Sequence, residues 1–522
     1  MKSTINSSVT RRSFIKKSTI LAGASLISYS SFGNYFSIKN NSLPFLSAVE
    51  VANEIRKKNI SSFELTQMIL ERIKKYNPEI NAIILLIEEQ ALERAREADA
   101  ALAKGENWGV FHGVPITIKD SFQIEGVVTT AGAPFLKDYI PEKDATAVSR
   151  LKNSGAVILG HTNVPFMLSD HQSFNEIYGR TNNPWNLDRT PGGSTGGGAA
   201  AVTAGLSYLS IGSDIGGSIR VPAHFCGIFG HKPTVDLISQ RGHIPPVPGS
   251  PPLPSTELPV AGPLARSAED LRLALSVCGG PDTPENIAYS WKLPEPRKKE
   301  LKQYRIKYII DHTDCPVSSE ISPLMEHAIQ EFKNHGLNIE EGWPEEVNPS
   351  VQYFNYLYLL MGAMSRVLPK EEIERLKGIP SSQRTPSQSM QIQAISDSHL
   401  QYDEMESNRL SARMIWQKFF SEYDAFILPT AFVPAFPHTT KPWEERLLET
   451  PEGQRPFNDM LFWISFATHT GLPASVFPIG VSKTGLPVGM QVIGPFLEDA
   501  TPIHIAGKLN EIMGGIRHPQ GY

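Results

Sequence analysis

Little in this chain points toward crosslinks, metals or nucleic acid. Its 522 residues hold three cysteines, Cys226, Cys278 and Cys315, odd in number and widely spaced. Such a set builds neither a disulfide framework nor a zinc site, and all three read as buried thiols. No His-Glu-x-x-His occurs and the fourteen histidines are scattered, which removes the common metal-hydrolase motif. The glycine-rich runs do not end in Gly-Lys-Ser or Gly-Lys-Thr, so a phosphate-cradling P-loop is excluded. Net charge is −5 and the body has no long run of Lys or Arg, leaving no electrostatic footprint for nucleic acid. Beyond the first 40 residues no apolar run reaches the roughly 18 residues that suggest a membrane span. There is no internal repeat.

With 40% hydrophobic and 20% charged residues, the chain has the make-up of a soluble globular protein with a deep core. Its amino terminus has a different character. Thr10-Arg11-Arg12-Ser13-Phe14-Ile15-Lys16 precedes an apolar, small-residue run over 18–32, too short to span a bilayer comfortably. This resembles a twin-arginine signal peptide. The expectation is a leader over 1–33, a linker over 34–44 and a catalytic domain over 45–522. The resemblance implies export in folded form by the twin-arginine machinery, to the periplasm, with no stable span in the mature chain. Ser30-Ser31-Phe32-Gly33 lacks a clean Ala-x-Ala, and an uncleaved leader would leave the protein anchored. A homodimer is left open.

Two capping boxes, Ser47 with Glu50 and Ser61 with Glu64, predict helices over 48–58 and 62–76, the second closed by Asn77-Pro78. A strand over 82–87 leads to a helix over 89–104. Gly113-Val114-Pro115-Ile116-Thr117-Ile118-Lys119-Asp120-Ser121-Phe122 alternates like a strand and carries a lysine into apolar surroundings, where burial lowers its pKa toward that of a neutral base. A helix over 144–153, a buried parallel-type strand over 156–160 and a small-residue helix over 199–206 follow. The proline-rich stretch 245–259 suits a rigid surface loop over a cleft. Helix, strand, helix and strand over 267–277, 304–310, 321–334 and 337–341 continue an α/β alternation. Residues 351–423 read as a helical region that shapes a pocket, and the punctuated strands near the carboxyl terminus complete a sheet.

The chemistry concentrates in Gly192-Gly193-Ser194-Thr195-Gly196-Gly197 and in Ser213-Asp214-Ile215-Gly216-Gly217-Ser218-Ile219-Arg220. Glycine lets backbone N–H groups turn toward a ligand, and the serines supply hydroxyls that act as nucleophile or proton carrier. Gly192 to Gly196 fits G-x-S-x-G, yet the nucleophile elbow needs a strand directly before its serine. Here a polar, proline-containing segment, Asn186-Leu187-Asp188-Arg189-Thr190-Pro191, precedes it. His161, His171 and His231 are pocket candidates whose simpler reading is structural.

Together, the Lys119 segment and the two glycine–serine blocks resemble the amidase signature family. The likeness extends to the paired N-terminal helices, Asn183-Pro184-Trp185-Asn186, Phe225-Cys226-Gly227, Lys232-Pro233-Thr234 and the closing Gly-Leu-Pro-Val-Gly-Met-Gln, most of the chain from about residue 45. It implies an α/β fold, a large mixed β-sheet surrounded by helices. It also implies a Ser-Ser-Lys triad: Ser218 as acylating nucleophile, Ser194 as bridging serine on a cis peptide, Lys119 as base. Backbone N–H groups of Ile215, Gly216, Gly217 and Ser218 would form the oxyanion hole, and Asp214 and Arg220 would brace the loop. Thr195 stands where many relatives have a second serine and keeps the hydroxyl. The implied activity is hydrolysis of a small-molecule carboxamide, without metal or cofactor. The alternatives are an inert exported binding protein on the same scaffold and a glutaminase-type amidotransferase subunit.

Overall fold

Eleven strands make one mixed sheet, and their order in space places the strand that ends at Lys119 beside the strand that carries Ser213. The computed structural model describes residues 43–246, 258–366, 368 and 370–522. The expected leader, most of the linker and the centre of the proline-rich loop lie outside the described residues. Ser47–Tyr522 forms one compact unit, and a short 3-10 turn, Leu43–Phe45, belongs to the amino-terminal one.

In chain order the strands are β1 (Ile83–Leu86), β2 (Pro115–Lys119), β3 (Val157–Thr162), β4 (Leu209–Asp214), β5 (Phe229–Lys232), β6 (Val260–Ala265), β7 (Arg305–Tyr308), β8 (Asn338–Glu341), β9 (Ala425–Pro429), β10 (Ala474–Val481) and β11 (Pro487–Ile493). Across the sheet they run β1-β3-β2-β4-β6-β5-β10-β11-β9-β7-β8. β2 is parallel to both β3 and β4, with Thr117 opposite Ser210 and Ile118 opposite Ile211. β4 with β6 and β10 with β11 are antiparallel. The fold is α/β, a large mixed sheet with helices on its faces. Strands covered on both faces are buried throughout, and β2, β3, β4 and β11 show no exposed residue, as expected where apolar runs replace alternation.

Both predicted capping boxes are present. Ser47 and Ser61 accept from the backbone N–H of Glu50 and Glu64, whose carboxylates accept in return from the cap residues. The second helix does not stop at Asn77-Pro78 but runs Ser62–Ile80. Proline's fixed φ is helical and costs one backbone bond here. The chain leaves only at Asn81, in left-handed geometry at φ 53, while Asn77 Oδ1 accepts from the N–H groups of Ala82 and Ile83. The small-residue helix starts earlier than predicted, at Gly196, and is buried along its whole length to Thr203. Among the described residues of 351–423 the chain forms the α-helices Pro349–Ser365, Lys370–Lys377, Pro386–Ser396 and His399–Glu422. Among the described residues no helix is long and apolar enough to cross a membrane.

Candidate active site

Because β2 and β4 are parallel neighbours, Lys119 and Asp214 lie together at the carboxyl ends of their strands, the usual place for a site in α/β architecture. Lys119 is fully buried. Its Nζ lies 2.6 Å from Ser194 Oγ, 3.0 Å from Thr195 Oγ1 and 3.0 Å from Ser213 Oγ. Burial lowers its pKa to about 7, against the opposing pull of the Asp214 carboxylate. A neutral amine offers two N–H donors and one lone pair, so one of the three hydroxyls around it must donate. Thr195 Oγ1 directs its hydrogen to the Ser213 carbonyl at 3.4 Å. The donor to Lys119 is therefore Ser194 or Ser213, and Ser194 is nearer.

The glycine-rich turn is forced by close approach. The Gly193–Ser194 peptide is cis, and a Cβ at Gly193 would meet the Asp170 and Gln172 carbonyl oxygens at 2.3 and 2.4 Å. Ser173 Oγ holds the turn from outside, donating to the Gly192 carbonyl at 3.1 Å and accepting from the Gly196 N–H at 3.0 Å. Gly212 makes room for the extra methyl of Thr195, since a Cβ there would lie 2.4 Å from Thr195 Cγ2.

The other arm is the turn after β4. Asp214 and Arg220 are both fully buried. The carboxylate accepts from Arg220 Nη2 at 2.9 Å and Nε at 3.0 Å, and from the backbone N–H of Gly217 at 2.9 Å and of Ile219 at 3.1 Å. Burial pushes the Asp214 carboxyl up, but the Arg220 guanidinium, the Lys232 ammonium and the Ile219 N–H hold it down at about 2. Arg220 also reaches the Ile464 carbonyl, Gln491 Oε1 and Thr468 Oγ1, pinning the turn to the helix Phe462–Thr470 and to β11.

One consequence concerns the backbone donors. Gly217 spends its N–H on Asp214, whereas among the described residues those of Ile215, Gly216 and Ser218 have no protein acceptor. Tyr356, on the helix Pro349–Ser365, donates its hydroxyl to the Ile215 carbonyl at 3.0 Å. In a planar trans peptide the C=O and N–H point opposite ways, so this bond turns the Gly216 N–H away from Tyr356. Ser218 is 7% exposed, and its carbonyl accepts from the Thr195 N–H at 3.1 Å. Its side chain opens into a cavity of about 200 Å³ shared with Ile215 and Gly216. The structure thus joins Lys119 directly to Ser194 and Thr195, and brings Ser218 alongside through the backbone without a Ser194–Ser218 side-chain hydrogen bond.

The amidase family model matches residues 64–502. The chain belongs to the amidase family. It is 32% identical over 495 residues to a glutamyl-tRNA(Gln) amidotransferase subunit of Moorella thermoacetica, covering 89% of this chain and 96% of that protein. Against indoleacetamide hydrolase of Bradyrhizobium diazoefficiens identity is 31% over 485 residues, covering 90% and 87%. Among solved structures, 6-aminohexanoate cyclic dimer hydrolase complexed with substrate superposes with a TM-score of 0.73 at 26% identity, covering 91% of this chain and 99% of that one.

Two contacts of this family member's site carry no signal in the sequence alone. Ser213 sits within the second serine cluster, and only the register of β2 against β4 shows that its hydroxyl meets Lys119. Tyr356 lies 141 positions from Ile215, with nothing local to mark it. Of the three histidines, His171 lines the cavity. His231 instead bonds Ser475 and Asp499, and the His161 ring lies 3.4 Å from Thr129 Oγ1. All three cysteines are free and buried. Among the described residues no three His, Cys, Asp or Glu side chains are grouped to hold a metal ion.

Proposed function

We propose that the chain cleaves a carboxamide to a carboxylate and an amine or ammonia through an acyl-enzyme on Ser218. The observation that carries this reading is a fully buried Lys119 with its pKa at about 7 and its Nζ 2.6 Å from Ser194 Oγ. Neutral Lys119 takes the proton of Ser194, which takes that of Ser218 as Ser218 Oγ bonds to the carbonyl carbon. Ser218 reaches Ser194 by rotating its side chain, a fast motion for a small hydroxyl. Backbone N–H groups of Ile215, Gly216 and Ser218 face the developing oxyanion, where each donor is worth about 10²–10³ in rate. The relay then runs backward, the nitrogen takes the proton, and the C–N bond breaks. Water adds to the ester by the same relay, releases the carboxylate and restores Ser218.

Tyr356 enters as a positioning residue, orienting the Gly216 donor. Tyr356→Phe removes one hydrogen bond of about 1 kcal/mol, so kcat is expected to fall about 5- to 10-fold with KM nearly unchanged. A rise in KM at constant kcat in steady-state kinetics contradicts that role.

Sequence similarity gives more support to the glutaminase-type reading than to a free-standing hydrolase, since the 32% identical relative is a glutamyl-tRNA(Gln) amidotransferase subunit. The 31% identical indoleacetamide hydrolase supports the second. The twin-arginine-like segment favours an exported hydrolase over a tRNA-linked subunit. Turnover of glutamine and of a panel of uncharged amides by wild type and Ser218→Ala in parallel tests the reading. Product released by wild type alone supports it. Product released equally by Ser218→Ala, or by neither protein, contradicts it, and the second result points to the inert scaffold.

A further inference from the structure

We propose that the group bound in the cavity beside Ser218 is a neutral, apolar body about the size of an aromatic ring, and that amides bearing a free carboxylate, glutamine among them, are poorly accepted. This rests on the carboxamide-cleaving reading of Ser218 and narrows it. An apolar cavity of about 150 Å³ takes up benzene. The cavity here, at about 200 Å³, admits a ring with a short linker to the amide carbon. Leu168, Met361, Met364, Trp443 and Leu461 supply its apolar walls, and both methionines adapt to an irregular ring face.

The charges on those walls decide against an anion. The only acidic side chains among the described lining residues are Asp170 and Glu444, and neither a lysine nor an arginine is among them. Arg446, behind the wall, spends Nη1 on both oxygens of Asp170, at 2.8 and 2.6 Å. His171 is 3% exposed, and burial pushes its ring down to about 4, so at neutral pH it offers no positive charge. The remaining polar groups are neutral: Asn458 Nδ2 donates within the wall to Ser387 Oγ at 2.8 Å, Gln391 Nε2 donates to Ser365 Oγ at 3.2 Å, and the buried His171 Nδ1 has no partner among the described residues. The free backbone N–H groups of the turn are taken by the amide oxygen. A substrate carboxylate would lose its hydration beside Glu444 and beside an Asp170 that already holds the nearby cation, Arg446, with no lysine or arginine on the wall to replace the lost water, which is strongly unfavourable.

The test compares two fluorophosphonates of equal length, one ending in phenyl and one in a carboxylate, by their rates of adduct formation on Ser218, read by mass spectrometry. The phenyl probe is expected to react at least about 50-fold faster. Met364→Arg places a cation on the wall from a partly buried position, and is expected to shift the ratio at least about 5-fold toward the carboxylate probe. Equal rates, or a faster carboxylate probe, overturn the inference while leaving Ser218 as the nucleophile. No adduct on Ser218 with either probe overturns the carboxamide reading and takes the inference with it.

Discussion

Lys119→Ala is expected to lower kcat/KM at pH 7 by about 10³- to 10⁴-fold, the upper range for loss of a positioned general base. The size of the effect follows from the surroundings. Lys119 Nζ is the only nitrogen base on Ser194 among the described residues, and the other groups at that nitrogen are the hydroxyls of Thr195 and Ser213, which are too weakly basic to replace it. Lys119→Met, which keeps the length of the side chain without the amine, separates chemistry from packing. The folded pKa of about 7 lies below the ordinary 10.5, so unfolding takes up a proton between roughly pH 7 and 10.5, and this group's contribution to stability rises with pH across that window. Below it the lysine costs stability, because the folded state must either hold a charge in a dry site or give up its proton. Lys119→Met is therefore expected to lose activity as Lys119→Ala does while its Tm at pH 7 does not fall. Turnover assays with calorimetry on both variants check this. Retention of more than about a tenth of wild-type activity by Lys119→Met contradicts the base assignment.

Ser218→Ala is expected to lower turnover by about 10⁵-fold or more, the scale seen when a nucleophile acting as part of a catalytic unit is removed. The structure makes this a selective test. Ser218 Oγ holds no structural hydrogen bond among the described residues, and the loop is fixed by other groups, Arg220 against Asp214 and the Thr195 N–H against the Ser218 carbonyl. The variant should fold and melt like wild type, so lost turnover reports chemistry. Ser194→Ala is the natural companion. It removes the link between Lys119 and Ser218, and combining the two changes should cost little more than Ser218→Ala alone, because residues that act as a unit are not additive. Activity surviving in Ser218→Ala would place the nucleophile elsewhere.

How much of this is legible in the sequence depends on the range of the contacts involved. The capping boxes at Ser47 and Ser61 are set within three residues, and the sequence pattern suffices to find them. The strand carrying Lys119 is legible because apolar residues surround a lysine in an alternating run, and the structure places it at the edge of β2 with no exposure. The end of the second helix is not, since Asn77-Pro78 is a stop signal only when nothing downstream holds the last turn, and here Asn77 ties Ala82 and Ile83. The donor set of the turn after β4 is narrower than the glycine pattern suggests. Nothing local reveals that Gly217 turns its N–H to Asp214 rather than to the cavity. Ser213 and Tyr356 depend on strand register and on helix placement, which a single sequence does not encode position by position. That no lysine or arginine is among the described lining residues is a property of at least four segments at once, and so emerges only in the folded chain.

In the proposed reaction a buried, neutral Lys119 activates the serines. The pH dependence of Ser218 labelling by a neutral arylalkyl fluorophosphonate tests it most directly, because the first covalent step is observed without product release. The rate constant is expected to rise with pH through an apparent pKa of about 7, level off above it, and lose this limb in Lys119→Met while the slow residual reaction stays on Ser218. A wild-type profile that is flat from about pH 5 to 9, or a limb near 7 that persists in Lys119→Met, contradicts Lys119 as the base.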